Sequence, residues 1–225
     1  MSASPASSPL PLQSNHRDPT APTFWPVFAW LAVQMLALLA AALRVSFSAR
    51  FPMPAERLAM HEMLVVQTVA SAMLFPILFR GLASTILVIA SAPLMALFAA
   101  ALAAETRDRR LIAFCVLVCA WLVALAMWSW VLRTTRARLY GVAAALLLAL
   151  GGVVVAYLNR EFGGAAQTFE WHRHALLGPI MAGLALLETN EVSGPTWEFV
   201  GAAVLSGALA CGVRWARRRS GPAVS

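Results

Sequence analysis

The residues able to do chemistry gather in a few places. His172 and His174 form an HxH pair inside the stretch 159–197, with Glu170 before it and Glu188, Glu191 and Glu198 after it. Neutral imidazole is the commonest metal ligand, so an HxH flanked by glutamates has part of a metal-ligand set. Two histidines from separate segments, His61 with His172 or His174, could hold a haem axially. Either site requires the 159–197 stretch to fold over the helix carrying His61, and HxH without a defined third ligand is a weak motif. The plainer reading of residues 170–174 is an interfacial amphipathic turn, with Trp171 as the anchor and the polar residues in water. No metal or other cofactor is therefore expected. His61, His172 and His174 remain the candidate cofactor residues, with haem as the alternative.

A second group lies along one apolar segment. His61 and Glu62 are followed by Gln67, Thr68 and Ser71, which fall near one face of a helix. Polar groups inside a bilayer face other helices or a water-filled cavity. Left facing lipid, each would cost on the order of 1–3 kcal/mol. His61, Glu62, Thr68 and Ser71 are thus candidates to line a pathway.

Cys115 and Cys119 are four apart and share a helix face. With Cys211, they lie inside apolar runs, where a free cysteine acts as a small apolar residue. No disulfide framework follows from them. No GxSxG, HExxH, CxxC or phosphate-binding glycine loop is present, and no catalytic residue is assigned. Arg160 with Gly163 and Gly164 is too short a pattern to specify an anion site. The expectation is a protein that is not an enzyme.

Composition says what must position these groups. The chain has 225 residues, 60% hydrophobic and 12% charged. A soluble domain carries roughly twice that charge. Amphipathic helices with charged outer faces are missing, so the apolar runs belong in a bilayer. The predicted class is all-α, a polytopic membrane helix bundle of about six spans at 23–47, 54–79, 82–104, 111–132, 139–158 and 198–215. Residues 1–22 read as a disordered tail, 23–219 as the transmembrane domain, and 220–225 as a short tail.

The net charge is +7, carried by seventeen arginines and no lysine. The arginines stand at the ends of apolar runs, which marks topology rather than nucleic-acid binding. Aromatic residues at span ends, Trp25, Trp30, Trp128 and Trp130 among them, suit the interfacial belt. Six spans put both termini on one side with the clusters at 133–138 and 217–219. That side is expected to be cytoplasmic, in a cell inner membrane. By arginine count alone the bias is weak, nine against eight.

Between the last two spans lies a thirteen-residue apolar segment, 175–187, about 20 Å long as a helix. The hydrocarbon core is about 30 Å thick, so the segment is too short to cross. It is predicted to be re-entrant or interfacial. Gly178, Pro179 and Gly183 make it the candidate gate. Small residues recur in the last span at Ala203, Gly207 and Cys211, a pattern read as internal packing.

This layout of six spans with a re-entrant element before the last resembles, in layout only, the permease subunits of the ABC-2 exporter class. The resemblance implies a transport component, with a separate energising partner docked on the arginine-rich cytoplasmic side. The alternatives are a non-catalytic subunit or anchor of a larger membrane complex, then a haem- or quinone-binding membrane protein. The expected partners are the lipid bilayer and other protein subunits, not nucleic acid.

Overall fold

The structure, a computed structural model, describes residues 21–47, 55–102, 108–162, 178–188 and 194–219. All regular structure among them is helical. The order is α1 (Ala21–Phe47), α2 (Ala55–Leu78), α3 (Leu82–Leu102), α4 (Asp108–Val131), α5 (Thr135–Phe162), α6 (Pro179–Glu188) and α7 (Gly194–Arg219). Six of these, all but α6, contain apolar stretches of 19–24 residues, long enough to cross a membrane. The protein is a multi-pass helical membrane protein.

Predicted and observed spans differ mainly at the ends. Helix α5 starts at Thr135 rather than 139, because Thr134 caps it: its Oγ1 accepts from the Ala137 N–H at 3.2 Å. Arg136 and Arg138 then sit in the first turns of a helix, not in a loop, which their helix propensity permits. Helix α7 likewise reaches back to Gly194 and on to Arg219. Helix α1 begins at Ala21, and the rest of the expected tail lies outside the described residues.

The helices divide into two groups. Helices α1, α2 and α3 pack mutually; α2 then packs directly on α5 and α6, and α4 joins α2 and α3 to α6 and α7. Half of the α4 span is buried, against 22% of the α5 and α7 spans. So α4 is the central post, while α5 and α7 present most of their surface to lipid.

Every polar side chain in such a bundle needs a partner, because lipid offers none. Trp30 was expected in the interfacial belt. It is instead fully buried, and its Nε1–H donates to Ser91 Oγ of α3 at 3.0 Å. Trp25 is 73% exposed and stacks with Phe28, as a belt residue does. The two tryptophans are five apart, which puts them on different faces of one helix.

Gln34, one turn beyond Trp30, is also fully buried, and neither its Oε1 nor its Nε2 has a hydrogen-bond partner among the described residues. A buried unsatisfied amide costs about 1–3 kcal/mol. Gln34→Met keeps the length and removes the amide. It is expected to raise the thermal unfolding midpoint in detergent by a few degrees. A fall in the midpoint would show that the amide contributes to the fold.

Candidate functional site

The short helix α6 organises the far half of the bundle. Of the two placements expected for it, the burial is that of an inserted element, not one lying along the surface. Every residue from Gly178 to Leu187 is buried except Leu184, which is half-buried. An interfacial helix would leave one face in water. Helix α6 touches α2, α4, α5 and α7.

Its depth follows from its neighbours. Gly178 lies against the backbone of Leu148, where a Cβ would collide with the Leu148 carbonyl oxygen and stand 3.3 Å from its carbon. Leu148 is midway along α5. Gly183 packs on Leu64 of α2, nearer the end where α2 begins, and a Cβ there would stand 2.8 Å from Leu64 Cδ1. So α6 starts at the middle of the bundle and runs about 15 Å to the end where α7 begins. Gly178 is demanded by close approach to backbone, whereas at Gly183 the Leu64 side chain would have to shift. The Ala182 N–H closes the first turn on the Gly178 carbonyl at 3.0 Å. The helix dipole thus places its positive end at mid-depth.

Beside that end opens a cleft of about 680 Å³. Trp121, Leu125 and Trp128 of α4 form its back. Tyr140, Ala144 and Leu148 of α5 form one wall, Phe199, Ala202 and Ser206 of α7 the other, with Phe75 and Gly178 completing it. Tyr140, Ala144, Leu148 and Ala202 line the cleft yet remain exposed, so it opens sideways to the lipid. The cause is architectural. Helix α7 packs on α4, α5 packs chiefly on α2, and the two scarcely touch each other. A second cavity of about 620 Å³ adjoins it toward the 132–134 turn, sharing Trp128, Leu132, Ala137 and Ser206 and adding Arg133 and Thr134.

The cleft is held open by tight packing around its rim. Gly207 of α7 abuts Met127 of α4, and Gly141 of α5 abuts Leu132 and Phe75. The small-residue stripe of the last span therefore packs inward on α4. At the 132–134 end, Arg214 Nη1 donates to the Trp130 carbonyl at 2.7 Å, and its guanidinium lies 4.2 Å over the Trp130 ring.

The polar stripe of α2 lies behind this site. Thr68 and Ser71 are buried. Thr68 Oγ1 donates to the Leu64 carbonyl at 2.6 Å, and Ser71 Oγ donates to the Thr68 carbonyl at 2.9 Å. Ser71 Oγ also accepts the Trp121 Nε1–H at 3.0 Å. Gln67 Nε2 donates to the Ala92 carbonyl of α3 at 3.0 Å. His61 and Glu62 are half-buried toward the start of α2. None of these four candidate pathway residues, His61, Glu62, Thr68 and Ser71, lines either cavity.

Of the candidate gate, Gly178 lines the cleft, while Pro179 and Gly183 are packed in the interior. His172 and His174 lie outside the described residues. Among the described residues no group of three His, Cys, Asp or Glu comes together.

Sequence reading missed Trp121, Trp128, Tyr140 and Ser206 as site residues. Trp128 looked like a belt residue, and its position in two cavities depends on how far α7 stands from α5. What the cleft offers is apolar surface, two indoles, a phenol, a hydroxyl and, at one mouth, a guanidinium. These are groups that bind an amphipathic molecule.

No protein-family model, curated protein or solved structure matches the chain.

Proposed function

We propose that this protein is the membrane component of a transport system, and that the lateral cleft is where its substrate, an amphipathic molecule, resides. The observation that carries this reading is α6. A half-helix that ends at mid-depth beside a cavity is how many secondary transporters build a binding site. Here its N-terminal end, at Gly178, forms part of the wall of a cleft open to lipid. The tight seating of Gly178 and Gly183 favours α6 as a fixed wall of the site rather than as the gate. The arginine-rich end, at 133–138 and 214–219, is the proposed docking face for an energising partner. The two arginine clusters there support a cytoplasmic side, in a cell with an inner membrane. Reporter fusions after Arg138 and after Arg219 are expected to read cytoplasmic, and a periplasmic signal at either would overturn this orientation.

One observation favours a second reading, a subunit of a larger complex. The gap between α5 and α7 has the form that a partner's helix would fill. A single experiment separates the two. The protein is purified with its partners in mild detergent, reconstituted in vesicles, and supplied with a fluorescent amphiphile and ATP. A transport component moves the amphiphile between leaflets faster than empty vesicles do, and Ala144→Trp, which fills the exposed cleft wall, returns the rate to background. Co-purified integral subunits with no ATPase and no movement would sink the transport reading in favour of the second.

A further inference from the structure

The two adjoining cavities differ in chemistry. The deep part, from Leu148 to Trp128, is apolar and aromatic. The mouth at the 132–134 turn carries Arg133 and Thr134. Thr134 Oγ1 accepts the Ala137 N–H, which leaves its own O–H to donate outward. Near this mouth stand Arg138 and Arg214, with Arg217, Arg218 and Arg219 following in the chain, and no acid occurs in 132–142 or 199–225. Arg138 Nε is turned to the Leu132 carbonyl at 3.0 Å and Arg214 to Trp130, so both guanidinium groups are held near the turn.

We propose that the cleft binds one anionic phospholipid drawn from the surrounding bilayer, its phosphate at Arg133 and Thr134 and one acyl chain along Trp128 toward Gly178. The proposal rests on the cleft being the binding site, and it adds the headgroup charge. Three features fit this occupant. The cleft opens sideways, where a lipid enters without leaving the membrane. From the mouth to Gly178 the cavities reach from the bundle end to mid-depth, the half-thickness of about 15 Å that one leaflet's chain fills. The mouth is uniformly cationic, and guanidinium groups recognise phosphate through paired donors.

The test uses the full chain, delipidated in non-ionic detergent and titrated with single lipids under native mass spectrometry. The probes are phosphatidylglycerol and phosphatidylcholine with identical chains, and glycerol 3-phosphate as the headgroup without chains. Phosphatidylglycerol is expected to be retained at one copy, at least about fivefold more tightly than phosphatidylcholine, the strength of one arginine at an anionic surface. Arg133→Gln should remove most of that preference. Arg136→Gln, an exposed arginine outside both cavities, should leave most of it intact. Glycerol 3-phosphate should not displace the lipid.

Equal retention of the two lipids by the unaltered chain would overturn the proposal. So would equal effects of the two arginine substitutions, or displacement by glycerol 3-phosphate. Ala144→Trp separates this failure from that of the site itself. If Ala144→Trp removes a retained lipid that shows no charge preference, the cleft stands and only the headgroup assignment falls. If it leaves retention and preference unchanged, the lipid sits elsewhere and both fall.

Discussion

Gly178→Ala is expected to lower stability by about 2–3 kcal/mol, the upper range for forcing extra atoms into a packed interior. In a chain of this size that is a fall of roughly 4–12 °C in the unfolding midpoint. The added methyl would collide with the Leu148 carbonyl oxygen, which belongs to the backbone of α5 and cannot rotate away. Relief requires α6 and α5 to separate. Membrane helices have no hydrophobic drive toward one another and depend on close packing, so separation loses contacts directly. Gly151→Ala is the control. Gly151 lies on α5 within a turn of Leu148, and a Cβ there meets nothing within 4 Å. Helix propensity favours that change by up to about 1 kcal/mol. The midpoint should therefore fall for Gly178→Ala and hold or rise for Gly151→Ala. Similar small changes in both would mean that α6 is not seated against α5.

Trp121→Ala carries the other large effect. Trp121 is 5% exposed and joins two functions of the fold. Its ring backs the lateral cleft, and its Nε1–H satisfies Ser71 on the polar stripe of α2. Truncating a buried tryptophan to alanine costs about 3–5 kcal/mol through lost contacts and the cavity left behind. The hydrogen bond is the smaller part, since side-chain bonds between membrane helices average about 0.6 kcal/mol. Trp121→Phe should therefore cost only about 1 kcal/mol, because most of the ring surface survives. A double-mutant cycle with Ser71→Ala isolates the bond, with an expected coupling of about 0.6–1.7 kcal/mol. Equal losses for Phe and Ala would show that the hydrogen bond, not the ring, holds α4 to α2.

The class of the protein and the number of its crossings were legible from residue order alone. A bilayer imposes a minimum length and forbids unpaired backbone, so apolar runs near twenty residues have one outcome. The same length rule identified 175–187 as too short to cross. Glycine and proline near its start, with glutamates after its end, marked it as an element unlike the spans. Of the polar stripe of His61, Thr68 and Ser71, with Gln67 beside them, Gln67, Thr68 and Ser71 are buried and His61 is half-buried, because isolated polar residues on an apolar helix must turn toward other protein.

Which face of each helix meets which neighbour was decided only in three dimensions. Helices such as α3 and α4 are apolar all round, so periodicity carries almost no direction. Trp30 and Trp25 are alike in the sequence, yet Ser91 and the packing of α1 on α3 bury one and leave the other in the belt. The close approach that requires Gly178 involves Leu148, thirty residues away, and had no local signal. The cleft arises because α5 packs on α2 and α7 on α4 rather than on one another, a balance of side-chain fit among four helices distant in sequence. Hydropathy sets how many helices enter the membrane, and van der Waals complementarity, summed over contacts that no short segment contains, sets where they leave room.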